Sequence, residues 1–342
     1  MLSPSETAIT RGTVRVFATL DDLLAEVRSR EPFVTSDSKS GSRFERVRYQ
    51  GEPMVLKYSS VDDDWIMRGT GDVGCRAARF LCSPAAGRLP ASIDHATVAV
   101  APNVSRFGHP GAALLLRDVS ALLVPAGDMP IGLDQHYRFL EHMADVHAAF
   151  WGWHSDIELM PTAHHYTFLT PAMADVESAR GGADPVPAAV AAGWRALDTA
   201  APALAATLRD LARDPGPLVD ALHRTPLTFV HGDWKLGNLG EHPDGRTVLL
   251  DWDRVGVAPA AIDLAWYLAV NSRRLPESKE ATIAVYRSAL GRRGVDTTAW
   301  WDRQLSLALV GAALQLGWDK AGDAEELGWW QERVNDGIGL LA

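Results

Sequence analysis

From Thr228 the chain reads Thr-Phe-Val-His-Gly-Asp-Trp-Lys-Leu-Gly-Asn, and from Leu249 it reads Leu-Leu-Asp-Trp-Asp. A short apolar run delivers His231-Gly232-Asp233, Asn238 stands five residues past that Asp, and Asp251 follows thirteen residues later at the end of a second apolar run. Between them Pro243-Asp244-Gly245 has turn chemistry, and two strands joined by such a turn form a hairpin. A hairpin here brings Asn238 and Asp251 together at one end, beside Asp233. Two carboxylates and an amide oxygen make a hard, oxygen-rich set that suits Mg²⁺, which keeps several waters to exchange for substrate phosphates. The stretch therefore reads as a site for phosphate chemistry.

The 342 residues are enough for two domains or one bilobal unit with an ample core. A formal net charge of −10 argues against binding a nucleic-acid backbone, which needs clustered Lys and Arg. The two cysteines, Cys75 and Cys82, are seven apart within one expected helix, too far along it for a disulfide, and read as reduced thiols. No Cys and His spacing matches a metal site. The start of the chain lacks a basic segment followed by an apolar one, and no apolar run approaches membrane-spanning length. The expectation is a soluble, cytoplasmic protein without a membrane partner, as a monomer or homodimer.

The first ten residues are polar and read as loose. An edge strand is expected over Thr13 to Phe17, and a helix capped by Thr19 over Leu20 to Ser29. A small polar loop, Ser36 to Ser42, precedes an alternating strand from Phe44 to Tyr49. After a turn at Gly51, Met54 to Tyr58 reads as a strand carrying Lys57 near its end. A helix from Asp72 to Leu81 and strands at Thr97 to Ala101 and Ala112 to Leu116 follow. Val124 to Pro130 reads as a connector, beyond which the pattern turns helical: Asp134 to Phe150, Pro187 to Arg213 with a break at Pro202, Ala261 to Asn271, Glu277 to Arg292, Ala299 to Leu316 and Glu325 to Asp336. Strands first, then helices around a small hairpin, make an α+β arrangement of two lobes. The expected division is a β-rich N-lobe over 1–118 and a larger helical C-lobe over 119–342.

His231-Gly-Asp-x4-Asn238 with Leu250-Asp251-Trp-Asp resembles the aminoglycoside phosphotransferase and choline kinase-like family, which has a bilobal protein-kinase-like fold. The resemblance covers most of the chain, from the Ser-Gly loop near Ser40 to the tryptophan-rich C-terminal helices. It implies that Asp233 is the base that orients an acceptor hydroxyl and takes its proton. It implies that Asn238 and Asp251 hold Mg²⁺ against the β- and γ-phosphates of ATP or GTP. Lys57 matches the lysine that contacts the α- and β-phosphates, Ser40, Gly41 and Ser42 take the place of the phosphate-covering loop, and the backbone from Arg117 to Val119 falls where the nucleobase is bound. His231 supports the loop through hydrogen bonds, with a catalytic role as the alternative. Lys235 either reaches the γ-phosphate or is an exposed lysine. Asp253 is a further metal ligand, a supporting acid or a surface group, and Asp263 matches a carboxylate that braces the catalytic loop.

One departure stands out. Family members pair the strand lysine with a glutamate from the following helix, but the segment from Gly74 to Arg79 has none, and Ala77 occupies the expected place. Either Asp72 or another acid substitutes, or phosphate alone holds Lys57. The acceptor is expected in the helical lobe. Tryptophans at 300, 301, 318, 329 and 330 either stack on a sugar or pack the core, and the acidic run from Asp319 to Asp336 either recruits an amine or is a solvated face. The leading expectation is a kinase for a hydroxyl of an amino sugar, aminoglycoside or related sugar-like small molecule. The alternatives are a kinase for choline-like amino alcohols and a kinase-like nucleotide-binding module with weak or no transfer. A metal-dependent hydrolase would need more His or carboxylate ligands than the sequence offers.

Overall fold

Alternation of apolar and polar residues builds the N-terminal sheet. The computed structural model describes residues 14–33, 40–102, 104, 111–182 and 184–341; the expected loose N-terminus, Thr13 of the first strand, and Ser36 to Lys39 of the polar loop lie outside them. The elements in order are β1 (Arg15–Val16), α1 (Leu20–Ala25), β2 (Val27–Phe33), β3 (Arg43–Tyr49), β4 (Glu52–Ser60), α2 (Trp65–Gly69), α3 (Arg76–Leu81), β5 (Ile93–Asp94), β6 (Thr97–Pro102) and β7 (Gly111–Arg117). All but β5 of these strands form one sheet of order β1-β6-β7-β4-β3-β2. On its outer face Met54, Leu56, Ala113 and Leu115 join Leu23 and Val47 in a small core. The period of two turns Val55 and Lys57 of β4, and Leu114 and Leu116 of β7, to the opposite face, where they line a cavity.

Two expectations in this region are corrected. The helix begun at Thr19 has its capping box, Thr19 with Asp22, but ends at Ala25 rather than Ser29. Val27 to Phe33 instead pairs antiparallel with β3, and its mostly exposed edge-strand pattern carries no alternation to announce it. The helix expected from Asp72 starts at Arg76, because the Asp72 carboxylate accepts the amides of Gly74 and Arg76. The cysteines therefore flank α3 rather than share it, and both are free.

The C-terminal region comprises α4 (Leu133–Ala149), α5 (Pro171–Arg180), α6 (Pro185–Ala200), α7 (Pro202–Arg213), α8 (Gly216–His223), β8 (Thr228–Val230), β9 (Leu239–Glu241), β10 (Thr247–Leu249), β11 (Gly256–Ala258), α9 (Ala261–Val270), α10 (Lys279–Arg292), α11 (Trp301–Leu316) and α12 (Ala324–Ile338). The architecture is thus bilobal α+β, a β-rich N-terminal region against a larger helical C-terminal one. Proline divides α6 from α7 as its missing N–H demands. The hairpin over Pro243 to Gly245 joins β9 to β10, and β5 adds to β10 in parallel. The two apolar runs of the motif do not pair with each other: β8 pairs with β11. Asn238 and Leu250 still meet, since the Leu250 amide donates to the Asn238 carbonyl at 2.9 Å.

Aromatic side chains fasten α3 to β8 and to the turn after β10. Phe80 stacks on Phe229 at 4.7 Å and on Trp252 at 5.4 Å, and Phe150 lies 4.8 Å from Phe229. At the other end of the helical region α6 lies so close to Trp318 that a Cβ on Gly193 would stand 2.3 Å from the indole. Among the described residues no helix is long and apolar enough to cross a membrane.

Candidate active site

The loop from His231 to Asn238 is shaped by its backbone. Gly232 has φ +77, and a Cβ there would lie 2.4 Å from the Arg254 carbonyl, so the turn admits only glycine. Asp263, at the start of α9 and fully buried, accepts the His231 and Gly232 amides, each at 2.7 Å. Its Oδ2 also meets His147 Nε2 at 3.1 Å. Burial alone would push this carboxyl up, but the hydrogen bonds and charge of its partners outweigh it and hold it low. The bracing geometry expected of Asp263 is present.

Asp233 is buried at the centre of a convergent set of donors. Asn238 Nδ2 reaches its Oδ2 at 2.9 Å, Lys235 Nζ reaches the same oxygen at 2.9 Å, and Arg254 Nη1 reaches Oδ1 at 3.3 Å. Burial raises the Asp233 carboxyl, but Lys235 and Arg254 prevail and keep it below the usual carboxylate range, so it is ionised at neutral pH. Lys235 is thus tied to Asp233 and not a free surface lysine. His231 is wholly buried: its Nδ1 accepts the Asp233 amide at 3.3 Å, its ring meets Trp252 edge-on at 4.9 Å, and burial keeps it neutral.

Asp251 follows β10 with φ +64, a left-handed conformation uncommon outside glycine, Asn and Asp. Its Oδ1 accepts Lys57 Nζ at 2.5 Å, and Asp253 Oδ2 accepts the same nitrogen at 2.7 Å. The two carboxylates outweigh the desolvation that would lower the buried ammonium, and hold Lys57 charged well above neutrality. Asp72, ahead of α3, accepts the Gly74 and Arg76 amides and makes no ion pair with Lys57 among the described residues.

A cavity of about 780 Å³ lies under the N-terminal sheet, lined by Ser40, Val55, Lys57, Ala77, Leu114, Leu116 to Ala121, Asn238 and Asp251 among others. Ser40, Lys57, Arg117, Val119, Asn238 and Asp251 are thereby brought together. Gly41 and Ser42 turn away: Ser42 Oγ donates to Asp64 at 2.9 Å and Gly41 presses on the Asp63 carbonyl. Arg117 borders the cavity with its amide given to the Ala96 carbonyl and its guanidinium to Asp94, whereas Val119 makes no N–H hydrogen bond among the described residues. A second cavity, about 310 Å³, is lined by Asp128, Lys235, Leu236, Gly237, Val270 to Arg274, Asp319 and Lys320. Lys235 and Gly237 border both.

Among the described residues no three His, Cys, Asp or Glu side chains cluster to hold a metal. Mg²⁺ does not need such a cage, since one or two carboxylates plus phosphate oxygens suffice. Asp251 and Asn238 on one cavity wall fit that donor set.

Sequence reasoning missed Arg254. Its guanidinium is sandwiched by Phe168 at 4.3 Å and Trp266 at 4.2 Å, bonds Gln315 at 3.1 Å, and delivers its charge to Asp233. Burial lowers it to about 10, still cationic at neutral pH. The only local signal was an Arg directly after the Asp-Trp-Asp run.

The sequence profile of the phosphotransferase enzyme family matches residues 129–301, half of the chain, and spans the whole loop and its bracing Asp. The chain belongs to the phosphotransferase enzyme family. Among solved structures, this phosphotransferase is similar to a microcompartment-associated aminopropanol kinase, at 14% identity over 94% of this chain and 98% of that one, with a TM-score of 0.56. It is also similar to a macrolide 2'-phosphotransferase from Brachybacterium faecium (17% identity, 92% and 96% covered, TM-score 0.45) and a choline kinase from Streptococcus pneumoniae (13%, 94% and 95%, 0.45). At such identities the likeness is one of fold, the protein-kinase-like fold of small-molecule kinases. A comparison with curated protein sequences returns no match.

Proposed function

We propose that this phosphotransferase moves the γ-phosphoryl group of ATP or GTP to a hydroxyl of a small, sugar-like or amino-sugar acceptor, with Asp233 as base. The observation that carries the reading is the shared wall: Lys235 and Gly237 border both cavities, and Lys235 is 2.9 Å from Asp233. Nucleotide in the larger cavity and acceptor in the smaller would meet at Lys235, beside the ionised Asp233. Asp251 and Asn238 would hold Mg²⁺, which neutralises charge on the transferring phosphates. Lys57 would take the α- and β-phosphates, and Ser40 and the Val119 amide would contact the nucleotide. Asp233 fixes the acceptor hydroxyl and accepts its proton late, since a loose transition state asks little more of a base. His231 serves by holding the loop. The lobe division we adopt, 118 to 119, follows the larger cavity's wall.

The smaller cavity favours a sugar-like acceptor over a choline-like one. Its basic lining, Lys235, Arg273, Arg274 and Lys320, alternates with the carboxylates of Asp128 and Asp319, and no aromatic side chain is among its lining residues. Hydroxyls donate to one sign and accept from the other, whereas a quaternary ammonium finds no aromatic face. Of the acidic C-terminal run, Asp319 alone is among the smaller cavity's lining residues. Asp323 caps α12, Glu326 pairs with Lys279 at 2.5 Å, and Glu332 and Asp336 flank Arg333. The tryptophans at 300, 301, 318, 329 and 330 line neither cavity.

Incubation with Mg²⁺ and ATP or GTP across sugars, amino sugars, aminoglycosides and amino alcohols, with product mass measured, tests the reading. A gain of one phosphoryl group on a hydroxylated acceptor is expected, and Asp233→Ala should remove transfer by at least about 10²-fold while nucleotide still binds. Turnover that survives Asp233→Ala removes that residue as base. Tight nucleotide binding with no product from any acceptor favours a nucleotide-binding module instead.

A further inference from the structure

We infer that Asp253 supplies the carboxylate that anchors Lys57 for nucleotide binding, in the role of a glutamate carried by α3, and that Asp251 is thereby left for the metal. The inference rests on the functional reading above and assigns Asp253 away from the metal. Lys57 is buried between the sheet and the catalytic turn, and an ammonium there needs a lasting counter-charge. Asp251 and Asp253 both provide one, at 2.5 and 2.7 Å. The Asp251 contribution is not lasting, because a carboxylate that ligates a divalent cation directs its lone pairs and field to that cation.

The other acids near Lys57 have other work. Asp72 accepts the Gly74 and Arg76 amides. Asp64 accepts the amides of Ile66 and Met67 and the Ser42 hydroxyl. The α3 position that faces the cavity is Ala77, which has no polar group. Asp253 is the carboxylate that remains.

The helix still takes part, in reverse. Arg76, buried on α3, donates from Nη1 to the backbone carbonyl of Asp253 at 3.2 Å and from Nη2 to the Thr70 carbonyl at 2.9 Å. Asp253 lies in a single 3-10 turn, Trp252–Arg254, whose Trp252 stacks on Phe80 of the same helix. The element that would carry the acid here grips the backbone of the acid. Lys57 is then positioned only while α3 is seated on that turn, which ties nucleotide positioning to the approach of the two lobes.

Three variants test this: Asp253→Asn, Asp253→Glu, and the double variant Ala77→Glu with Asp253→Asn. Binding of a fluorescent ATP analogue is measured with Mg²⁺ and with chelator, together with both KM values, kcat and the Mg²⁺ dependence. Asp253→Asn is expected to weaken nucleotide binding by about tenfold or more with Mg²⁺ and less with chelator, where Asp251 still holds Lys57, with acceptor KM little changed. The charge-conserving Asp253→Glu should stay near wild type. Ala77→Glu, placing a carboxylate on α3, should recover most of the loss. A raised Mg²⁺ requirement that saturating Mg²⁺ fully overcomes, with no rescue by Ala77→Glu, would show Asp253 to be a metal ligand and overturn the inference. If Asp253→Asn fails to fold, the double variant decides: native-like melting with nucleotide affinity near wild type supports the anchor, and native-like melting without affinity refutes it. Wild-type protein that binds no nucleotide removes the functional reading along with the anchor, whereas wild-type binding with Asp253→Asn indifferent removes the anchor alone.

Discussion

Arg254 shows how much of this site's chemistry sits one residue away from its motif. A buried cation between two aromatic faces, 3.3 Å from Asp233, keeps that carboxylate, the proposed base, ionised and fixed in direction. Arg254 lines neither of the two cavities, so its part is to position. Arg254→Met keeps the bulk between Phe168 and Trp266 but drops the charge, leaving Asp233 to Lys235 and Asn238. We expect kcat to fall by on the order of 10²-fold, the scale of a slightly misplaced reacting group, with nucleotide KM nearly unchanged. Because a cation that stabilises the carboxylate is gone, the Asp233 pKa rises and the acidic limb of the kcat/KM profile moves to higher pH. A pH–rate profile in which the limb stays put would assign Arg254 to packing alone. Such a residue was not readable in the sequence, since an Arg after an Asp-Trp-Asp run is indistinguishable from a surface Arg until Phe168 and Trp266 are folded around it. The same holds for Lys57: its place on a strand was legible, but its partners come from 194 and 196 positions away.

Among elements, the legible ones had strong local chemistry. The Pro-Asp-Gly turn gave its hairpin, Pro202 its helix break, and Met54 to Tyr58 its strand with Lys57 near the end. What the local pattern could not supply was pairing. The two apolar runs of the motif look like partners, yet β8 joins β11, because the chain between them first spends Leu239 to Leu249 on its own hairpin. β2 escaped because an edge strand with both faces wet has no hydrophobic alternation, and α2 because five residues are too few for a helical period. α9 was foreseen, and its first turn is what holds the loop. Replacing Asp263 by Ala orphans two buried amides and removes the His147 partner. We expect a loss of at least about 3 kcal/mol in chemical denaturation. Transfer should fall even under conditions where the fold is retained, as the Gly232 turn loses its clamp. A variant as stable as wild type would mean that water or a neighbouring group takes over both amides.

At the scale of the whole molecule the two cavities are built differently. The larger, the proposed nucleotide side, is bordered by long-range contacts that converge from the sheet, α3 and the turn that carries Asp251 and Asp253. The smaller, the proposed acceptor side, is a charged hollow whose wall, Asp319 and Lys320, belongs to the short segment behind Trp318. Lys320 is locked there by the Ala269 carbonyl at 2.7 Å and Asp319 at 2.9 Å, so the wall moves as a unit. Trp318 is in turn pressed by α6 at Gly193, where there is room for a hydrogen and not for a methyl. Gly193→Ala should therefore displace the indole and with it the hollow's edge, changing acceptor KM several-fold while nucleotide affinity and the ionisation of Asp233 stay as they are. Parallel kinetics over two acceptors of different size would read this directly, and an equal effect on nucleotide KM would show that the disturbance spreads through the fold. The practical consequence is that preference and power can be inherited separately. A lineage, or a laboratory selection, can wander among acceptors by altering how one outer helix leans on a tryptophan, never visiting the residues whose loss would end the reaction.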